Sequence, residues 1–117
     1  MTKKEKINIH RRVGVLAPLF SVYSKNSTGI GDLGDLKLLI DWCFKTGNSI
    51  LQLLPMNEAG PLFCPYDAIS SFGLEPAYIS LKTLDAAKNK SIKDKIKELR
   101  KHFPLGKPHV GYRIKDE

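Results

Sequence analysis

Val13-Gly-Val-Leu-Ala-Pro-Leu-Phe20 opens the stretch that decides the fold, and Ser49-Ile-Leu-Gln-Leu-Leu54 closes it. Both runs are apolar, have the length of a strand and are bounded by turn-forming residues, so we expect a buried strand followed later by a second short strand. The segment between them has its apolar residues on one stripe of a helix: Leu36, Leu39, Ile40, Cys43 and Phe44. A strand, a helix and a strand in this order form a βαβ unit with parallel strands. The sequence therefore predicts an α/β fold.

The limits of this helix follow from local chemistry. Asp32 or Asp35 is expected to cap the start, because a carboxylate oxygen accepts hydrogen bonds from the free amides of the first turn. The helix is expected to run to about Thr46, where Gly47-Asn48 ends it, since both residues tolerate left-handed backbone angles.

The glycines of Gly29-Ile-Gly31-Asp-Leu-Gly34 have the spacing of a dinucleotide-binding fingerprint. That fingerprint requires a tight turn directly after the first strand and an acidic residue at the end of the second. Here a longer loop follows the first strand, and Leu54-Pro55 occupies the acidic position. A dinucleotide site is not favoured.

The second half of the chain begins with a long loop. Residues 56–76 contain three prolines and two glycines, and a loop of this length inside a compact domain is usually functional. Tyr78-Ile-Ser-Leu81 is expected to be a short extended piece. A second helix is expected from Ser91 to His102, with Ser91 and Asp94 forming a capping box. Its apolar side has a helical spacing: Ile92, Ile96, Leu99 and Phe103.

Composition excludes several classes of function. The 117 residues are 42% hydrophobic with a net charge of +7, but the basic excess lies in the first twelve residues and in residues 82–101, while residues 13–81 are mildly acidic. This distribution does not favour a nucleic-acid-binding face. There is no apolar run long enough to span a membrane and no secretory signal pattern, so we expect a cytoplasmic protein without a membrane partner.

The titratable and thiol side chains point to no cofactor. Cys43 and Cys64 form no CxxC pair, and no zinc ligand set or organic cofactor motif accompanies them. Cys64 is expected to be a buried or half-buried small hydrophobe. Only Glu58, Asp67 and Glu75 lie in the long loop, so these are the plausible site carboxylates.

An ordered series of blocks runs along the chain: Gly14-Val-Leu16, Leu19-Phe-Ser21, Gly29-Ile-Gly-Asp-Leu-Gly34, Leu53-Leu-Pro-Met-Asn-Glu-Ala-Gly60, Cys64-Pro-Tyr-Asp67, Ile69-Ser-Ser-Phe-Gly73 and Glu75-Pro76. In their order and intervals these blocks resemble the N-terminal portion of the amylomaltases, the 4-alpha-glucanotransferases of glycoside hydrolase family 77. The resemblance covers residues 12–84 well and the lysine-rich helix predicted from Ser91 to His102 more loosely.

The resemblance implies a (β/α)8 barrel that transfers α-1,4-glucan segments between maltooligosaccharides by a retaining mechanism. It also implies that Tyr66 lines a sugar subsite, with Cys64, Pro65 and Asp67 as the other substrate-binding residues of that loop. The implied partner is a maltooligosaccharide or α-glucan, and no metal or organic cofactor is implied.

The sequence departs from the family pattern at three places in this region. Cys64 replaces a serine, Leu51-Gln52 replaces Trp-Gln, and Glu75-Pro76 replaces Asn-Pro. These changes affect local detail: we expect repacking at Leu51 and a changed turn contact at Glu75.

Nothing in the chain matches the motifs of the three catalytic carboxylates that the resemblance implies. We therefore expect residues 1–11 to be a polar lead-in and residues 12–117 to be an incomplete, N-terminal part of the barrel, inactive alone and ending at the opening of a further helix. The alternative is a non-catalytic module that binds a glucan or a protein partner.

Overall fold

The computed structural model describes residues 11–117; residues 1–10, which include most of the predicted lead-in, lie outside the described part. The regular elements are β1 (Gly14–Ala17), α1 (Leu33–Lys45), β2 (Ile50–Leu53) and α2 (Lys90–His102). Short 3-10 turns lie between these elements at Leu19–Ser21, Pro76–Tyr78, Leu81–Thr83 and Asp85–Lys88, and one more follows α2 at Tyr112–Asp116.

Strands β1 and β2 pair in parallel, with Gly14 opposite Ile50 and Ala17 opposite Leu53. Helix α1 connects them, so the predicted α/β class and its βαβ unit are confirmed. Parallel pairing places the carboxyl ends of both strands at the same edge of the sheet, where the chain leaves β2 for the long loop.

The first strand is shorter and less buried than the sequence predicts. Pro18 follows β1, and from Leu19 the chain turns into a 3-10 helix, because Pro18 has no amide to continue a ladder and its carbonyl accepts from the Ser21 amide at 3.1 Å. Val13 is 70% exposed and Leu16 is 57% exposed. The expectation of a buried strand was therefore wrong: one face of the strand pair is open in the described chain.

The predicted apolar stripe of α1 is also only partly buried. Cys43 is buried, and Leu36 and Leu39 are half-buried, but Ile40 is 51% exposed and Phe44 is 84% exposed. Helical spacing sets which side chains share a face, whereas burial depends on what packs over that face.

The start of α1 is capped as predicted. The Asp32 carboxylate accepts hydrogen bonds from the Gly34 amide at 2.7 Å and the Asp35 amide at 3.2 Å. Asp35 completes a capping box by accepting from the Asp32 amide at 3.0 Å, and the Ser27 hydroxyl donates to Asp35 at 2.6 Å. The protein's own carboxylates therefore occupy the helix N-terminus at which a phosphate would bind in a dinucleotide site. At the other end, Gly47 adopts a positive φ of 77°, as expected for a helix stop.

The core is made largely by loops. Four buried residues form its centre: Leu19, Ile30, Phe63 and Tyr78. Half-buried apolar residues surround them: Phe20, Leu36, Met56, Ala77, Val110 and Ile114. Residues from the first loop, the long loop and the C-terminal segment thus converge on one cluster.

Two local predictions in the second half need correction. Of residues 78–81 only Ile79 and Ser80 have extended backbone angles, because Tyr78 ends one 3-10 turn and Leu81 begins the next. The first of these turns has Pro76 in its opening position and Glu75 as its cap. Helix α2 begins at Lys90, and Asn89 caps it by accepting from the Ser91 amide at 2.9 Å, while Asp94 pairs with Lys97. Asn89 is the N-cap because it has an extended backbone directly before the first helical residue.

Helix α2 packs through the residues that its spacing predicts. Ile96 is buried, Leu99 and Phe103 are half-buried, and Ile92 at the helix start is more exposed. Arg100 fixes the helix to the first loop by donating from Nε to the Ser27 carbonyl at 2.9 Å. The C-terminal stretch that suggested a further helix forms the 3-10 turn Tyr112–Asp116. Neither α1 nor α2 combines the length and the apolar character that crossing a membrane requires.

Candidate functional site

The long loop that leaves the carboxyl end of β2 is folded back on itself. Its two sides meet at antiparallel bridges between Asn57 and Leu74 and between Ala59 and Ala68. The Glu58 amide donates to the Gly73 carbonyl at 2.9 Å, and the Ile69 amide donates to the Glu58 carbonyl at 2.9 Å. These hydrogen bonds hold the two sides of the loop together and define its tip.

A tight turn from Cys64 to Asp67 forms this tip, closed by the Asp67 amide donating to the Cys64 carbonyl at 3.0 Å. Pro65 takes the second position of the turn, where its fixed φ is favourable. The Tyr66 side chain is 75% exposed and Asp67 is exposed, whereas Cys64 and Pro65 are half-buried. The structure thus places the four predicted substrate-binding residues on one turn, with an aromatic ring and a carboxylate directed outward.

Phe63 anchors the turn from its inner side. It is 5% exposed and adopts a φ of 48°, which directs the ring inward while the next residues turn outward. Its ring stacks on Tyr112 with centroids 4.9 Å apart and meets Phe20 and Tyr78 edge to face at 6.0 and 6.3 Å. These contacts fix the backbone immediately before Cys64.

The base of the loop is fixed by Glu75. Its carboxylate is almost fully buried and accepts from the Ala59 amide at 3.0 Å and the Ala77 amide at 3.4 Å. Lys115 donates to the same carboxylate at 2.9 Å and to the Ala59 carbonyl at 2.5 Å. Glu75 is therefore a structural group, and of the three predicted site carboxylates only Glu58 and Asp67 are less buried.

The long loop exposes other large apolar side chains besides Tyr66. Leu62 is 79% exposed, Ile69 is 67% exposed and Phe72 is 97% exposed. Beside the loop lies an open cavity of about 280 Å³ whose lining includes Glu58, Phe63 and Ile69. Exposed apolar groups with carboxylates among them suit a ligand that has both apolar and hydroxyl-bearing faces.

Electrostatics at the inner side of the loop favour a neutral phenol. Burial, and secondarily the neighbouring Glu75 carboxylate and Tyr112, raises the pKa of Tyr78 to about 12. Within residues 11–117, no three histidine, cysteine or acidic side chains come together in a way that would hold a metal ion.

Sequence reasoning did not single out Phe63 or Lys115. Phe63 has no local pattern that separates it from the exposed Leu62 beside it, since a single inward residue in a loop has no periodicity. Lys115 lies 40 residues from Glu75, and nothing between them in the sequence indicates the pairing. The usable signal was the presence of Glu75 among the loop carboxylates, because a carboxylate requires a partner once it is buried.

Comparison with known sequences gives a consistent result. The sequence profile described as 4-alpha-glucanotransferase, glycoside hydrolase family 77, matches residues 17–115. A 4-alpha-glucanotransferase of Chlamydia pneumoniae is 51% identical over 71 residues, which covers 61% of this chain and 14% of that protein. The 4-alpha-glucanotransferase DPE2 of Oryza sativa subsp. japonica is 37% identical over 107 residues, covering 87% of this chain and 11% of that protein.

The fold has a matching solved structure. The amylomaltase of Corynebacterium glutamicum superposes with a TM-score of 0.67 at 31% identity, covering 79% of this chain and 14% of that one. The chain thus spans about a seventh of the length of the Chlamydia pneumoniae relative and of this structure. A family profile that covers nearly the whole described chain, together with these relatives, establishes the assignment: the chain belongs to the 4-alpha-glucanotransferase family, glycoside hydrolase family 77.

Proposed function

We propose that this chain forms the N-terminal part of a (β/α)8 4-alpha-glucanotransferase, and that its long loop contributes to the sugar-binding site. The observation that carries the proposal is the position of the exposed Tyr66 turn at the tip of an ordered loop that leaves the carboxyl end of β2. In (β/α)8 enzymes, the loops at the carboxyl ends of the strands build the active site.

In this proposal Tyr66 stacks its ring on a glucose residue of a maltooligosaccharide. One face of a pyranose ring carries C–H groups that pack on an aromatic surface, and the phenolic hydroxyl can hydrogen-bond to the sugar's hydroxyls. Asp67 accepts hydrogen bonds from sugar hydroxyls, while Cys64 and Pro65 shape the turn that presents both side chains. The high exposure of Tyr66 and the buried anchor at Phe63 support this division of roles.

The reaction proposed for the whole enzyme is a retaining transfer of α-1,4-glucan segments between maltooligosaccharides. A carboxylate attacks the anomeric carbon to form a covalent glycosyl intermediate, and a carboxylic acid protonates the leaving oxygen and later deprotonates the acceptor hydroxyl. The motifs of these carboxylates are absent from residues 1–117. We therefore propose that the chain contributes substrate contacts and no catalytic group.

The binding role is tested by NMR titration of the 15N-labelled chain with maltoheptaose. We expect shift changes centred on residues 62–69, and at least a tenfold weaker affinity after Tyr66→Ala. Tyr23→Ala is the matched control, because Tyr23 is also exposed, at 51%, but lies outside the long loop. Equal affinities of the two variants would remove Tyr66 from the site.

The catalytic proposal is tested by incubating the chain with maltotriose and separating the products by chromatography. We expect neither glucose nor longer oligomers to form. Efficient disproportionation would show that the chain carries its own catalytic groups and would overturn this proposal.

The alternative function is a non-catalytic binding module. The core formed by Leu19, Ile30, Phe63 and Tyr78 favours this binding module, since this core does not depend on further strands. The open strand face and the exposed Phe44 favour a part of a larger barrel. Thermal unfolding separates the two: a cooperative transition that is independent of chain concentration supports the module, and association through exposed edges and faces that increases with chain concentration supports the barrel part.

A further inference from the structure

The 3-10 turn Tyr112–Asp116 lies against the long loop at two separate points. Tyr112 stacks on Phe63 near the tip, with ring centroids 4.9 Å apart. Lys115 reaches the base, where its ammonium donates to the Glu75 carboxylate at 2.9 Å and to the Ala59 carbonyl at 2.5 Å. A segment far along the chain thus contacts both ends of the loop that presents Tyr66.

At the base, the three groups form a closed ring of hydrogen bonds. Ala59 donates through its amide to Glu75 at 3.0 Å and accepts through its carbonyl from Lys115. Glu75 and Lys115 are joined directly, and their side chains are 1% and 22% exposed. Ala59 also bridges to Ala68, directly after the Cys64–Asp67 turn. A displacement of Ala59 would therefore also move Ala68 and the turn that precedes it.

We propose that Lys115 and Glu75 are positioning residues that hold the Tyr66 turn in its binding position. A buried ion pair contributes little net stability, because desolvation offsets most of the attraction, but losing one partner leaves a charge unpaired in the interior. Here the pair selects one loop conformation, since only that conformation gives the buried carboxylate all its donors. The link to sugar binding rests on the proposed function; the link between Lys115 and loop order does not.

The test compares Lys115→Met with Lys88→Met in the full chain. Both remove one positive charge from an ion pair, but the Lys88–Asp85 pair is 82% and 94% exposed, so it serves as the control. Hydrogen exchange reports the amides of Ala59 and Ile69, and the heteronuclear NOE reports the order of the Tyr66 amide. In Lys115→Met, but not in Lys88→Met, we expect these two amides to exchange about tenfold faster or more and the Tyr66 amide to show a lower NOE.

Lys115→Arg is expected to keep the slow exchange of both amides and the high NOE of the Tyr66 amide, because a guanidinium also pairs with a carboxylate. Should Lys115→Met fail to fold, the double variant Glu75→Gln/Lys115→Met is measured in its place. It leaves no buried charge unpaired but still lacks the hydrogen bonds that Lys115 donates to position 75 and to the Ala59 carbonyl, so faster exchange and a lower NOE are again expected. Unchanged exchange and NOE in whichever variant folds would overturn the proposal.

Maltoheptaose titration of the same variants separates this inference from the proposed function. A loss of affinity that parallels the loss of order supports the positioning role. Loop order lost with full affinity retained would overturn that role. A wild-type chain that binds no maltoheptaose would contradict the proposed function alone, since the exchange and NOE comparison tests the link between Lys115 and loop order without ligand.

Discussion

Replacing Phe63 by alanine is the most informative single change in the long loop, because it tests whether a side chain without regular secondary structure anchors the site. Phe63 is 5% exposed and contacts three aromatic rings. Truncating a buried phenylalanine costs about 3–5 kcal/mol, and this range includes the loss of its aromatic pairs, which are worth about 0.5–1.5 kcal/mol each beyond the buried area. Alanine at a φ of 48° is strained much as phenylalanine is, so the backbone contribution nearly cancels. We expect a loss of about 4 kcal/mol, a large part of the roughly 5–15 kcal/mol that a small domain possesses.

Urea unfolding followed by far-UV circular dichroism measures this loss. Phe72→Ala is the matched control, since it removes the same atoms from the same loop at a site that is 97% exposed, and its effect is expected to stay within about 0.5 kcal/mol. Free energies of unfolding that agree within about 1 kcal/mol for the two variants would refute the anchoring role of Phe63.

Three further outcomes follow from buried groups. Burial, and then Glu75, raises the pKa of Tyr78 from its ordinary value of 10 to about 12. The free energy of unfolding is therefore expected to fall between pH 10 and 12, because Tyr78 loses its proton at a lower pH in the unfolded chain than in the folded chain. Urea titrations at alkaline pH should show a smaller fall for Tyr78→Phe. Gly31→Ala is expected to destabilise by about 1–3 kcal/mol in thermal unfolding, because a Cβ there overlaps two backbone carbonyl oxygens of the turn at residues 19–22. The pKa of Asp32 is raised by burial and by a neighbouring carboxylate, so a neutral Asp32→Asn, which keeps the capping oxygen, is expected to unfold at a higher urea concentration at pH 7; a lower midpoint would contradict this.

The elements that the sequence predicts well are those fixed by neighbouring residues. Helix α1 begins at the Asp32–Asp35 capping box and ends before Gly47, because both signals act within one turn of the backbone. The same locality explains the failures. Ser91 and Asp94 have the spacing of a capping box, but the Asn89 side chain caps the helix by accepting a hydrogen bond from the Ser91 amide. Burial is not local either: Leu16 has the pattern of a core residue, and its 57% exposure depends on which elements cover the strand.

The candidate site divides in the same way. Residues 64–67 were singled out by the resemblance to the family, and the tight turn that they form agrees with proline in the second position. The residues that hold this turn were not predicted, since the Phe63–Tyr112 stack and the Glu75–Lys115 pair join positions 49 and 40 residues apart. Contacts of that separation are set by the tertiary fold rather than by any local pattern.

Glu75 shows how such a long-range pair can arise from a departure in a motif. The resemblance places an asparagine before this proline, whose neutral amide can cap the following turn without a charged partner. A glutamate can cap the same turn, and it does so at the Ala77 amide, but it brings a negative charge into a position where its side chain is 1% exposed. An unpaired carboxylate there would be costly, so the substitution requires a cation within reach. Lys115 provides this cation and also donates a hydrogen bond to the Ala59 carbonyl. The glutamate that caps the turn therefore also links the C-terminal segment, through Lys115, to the base of the loop.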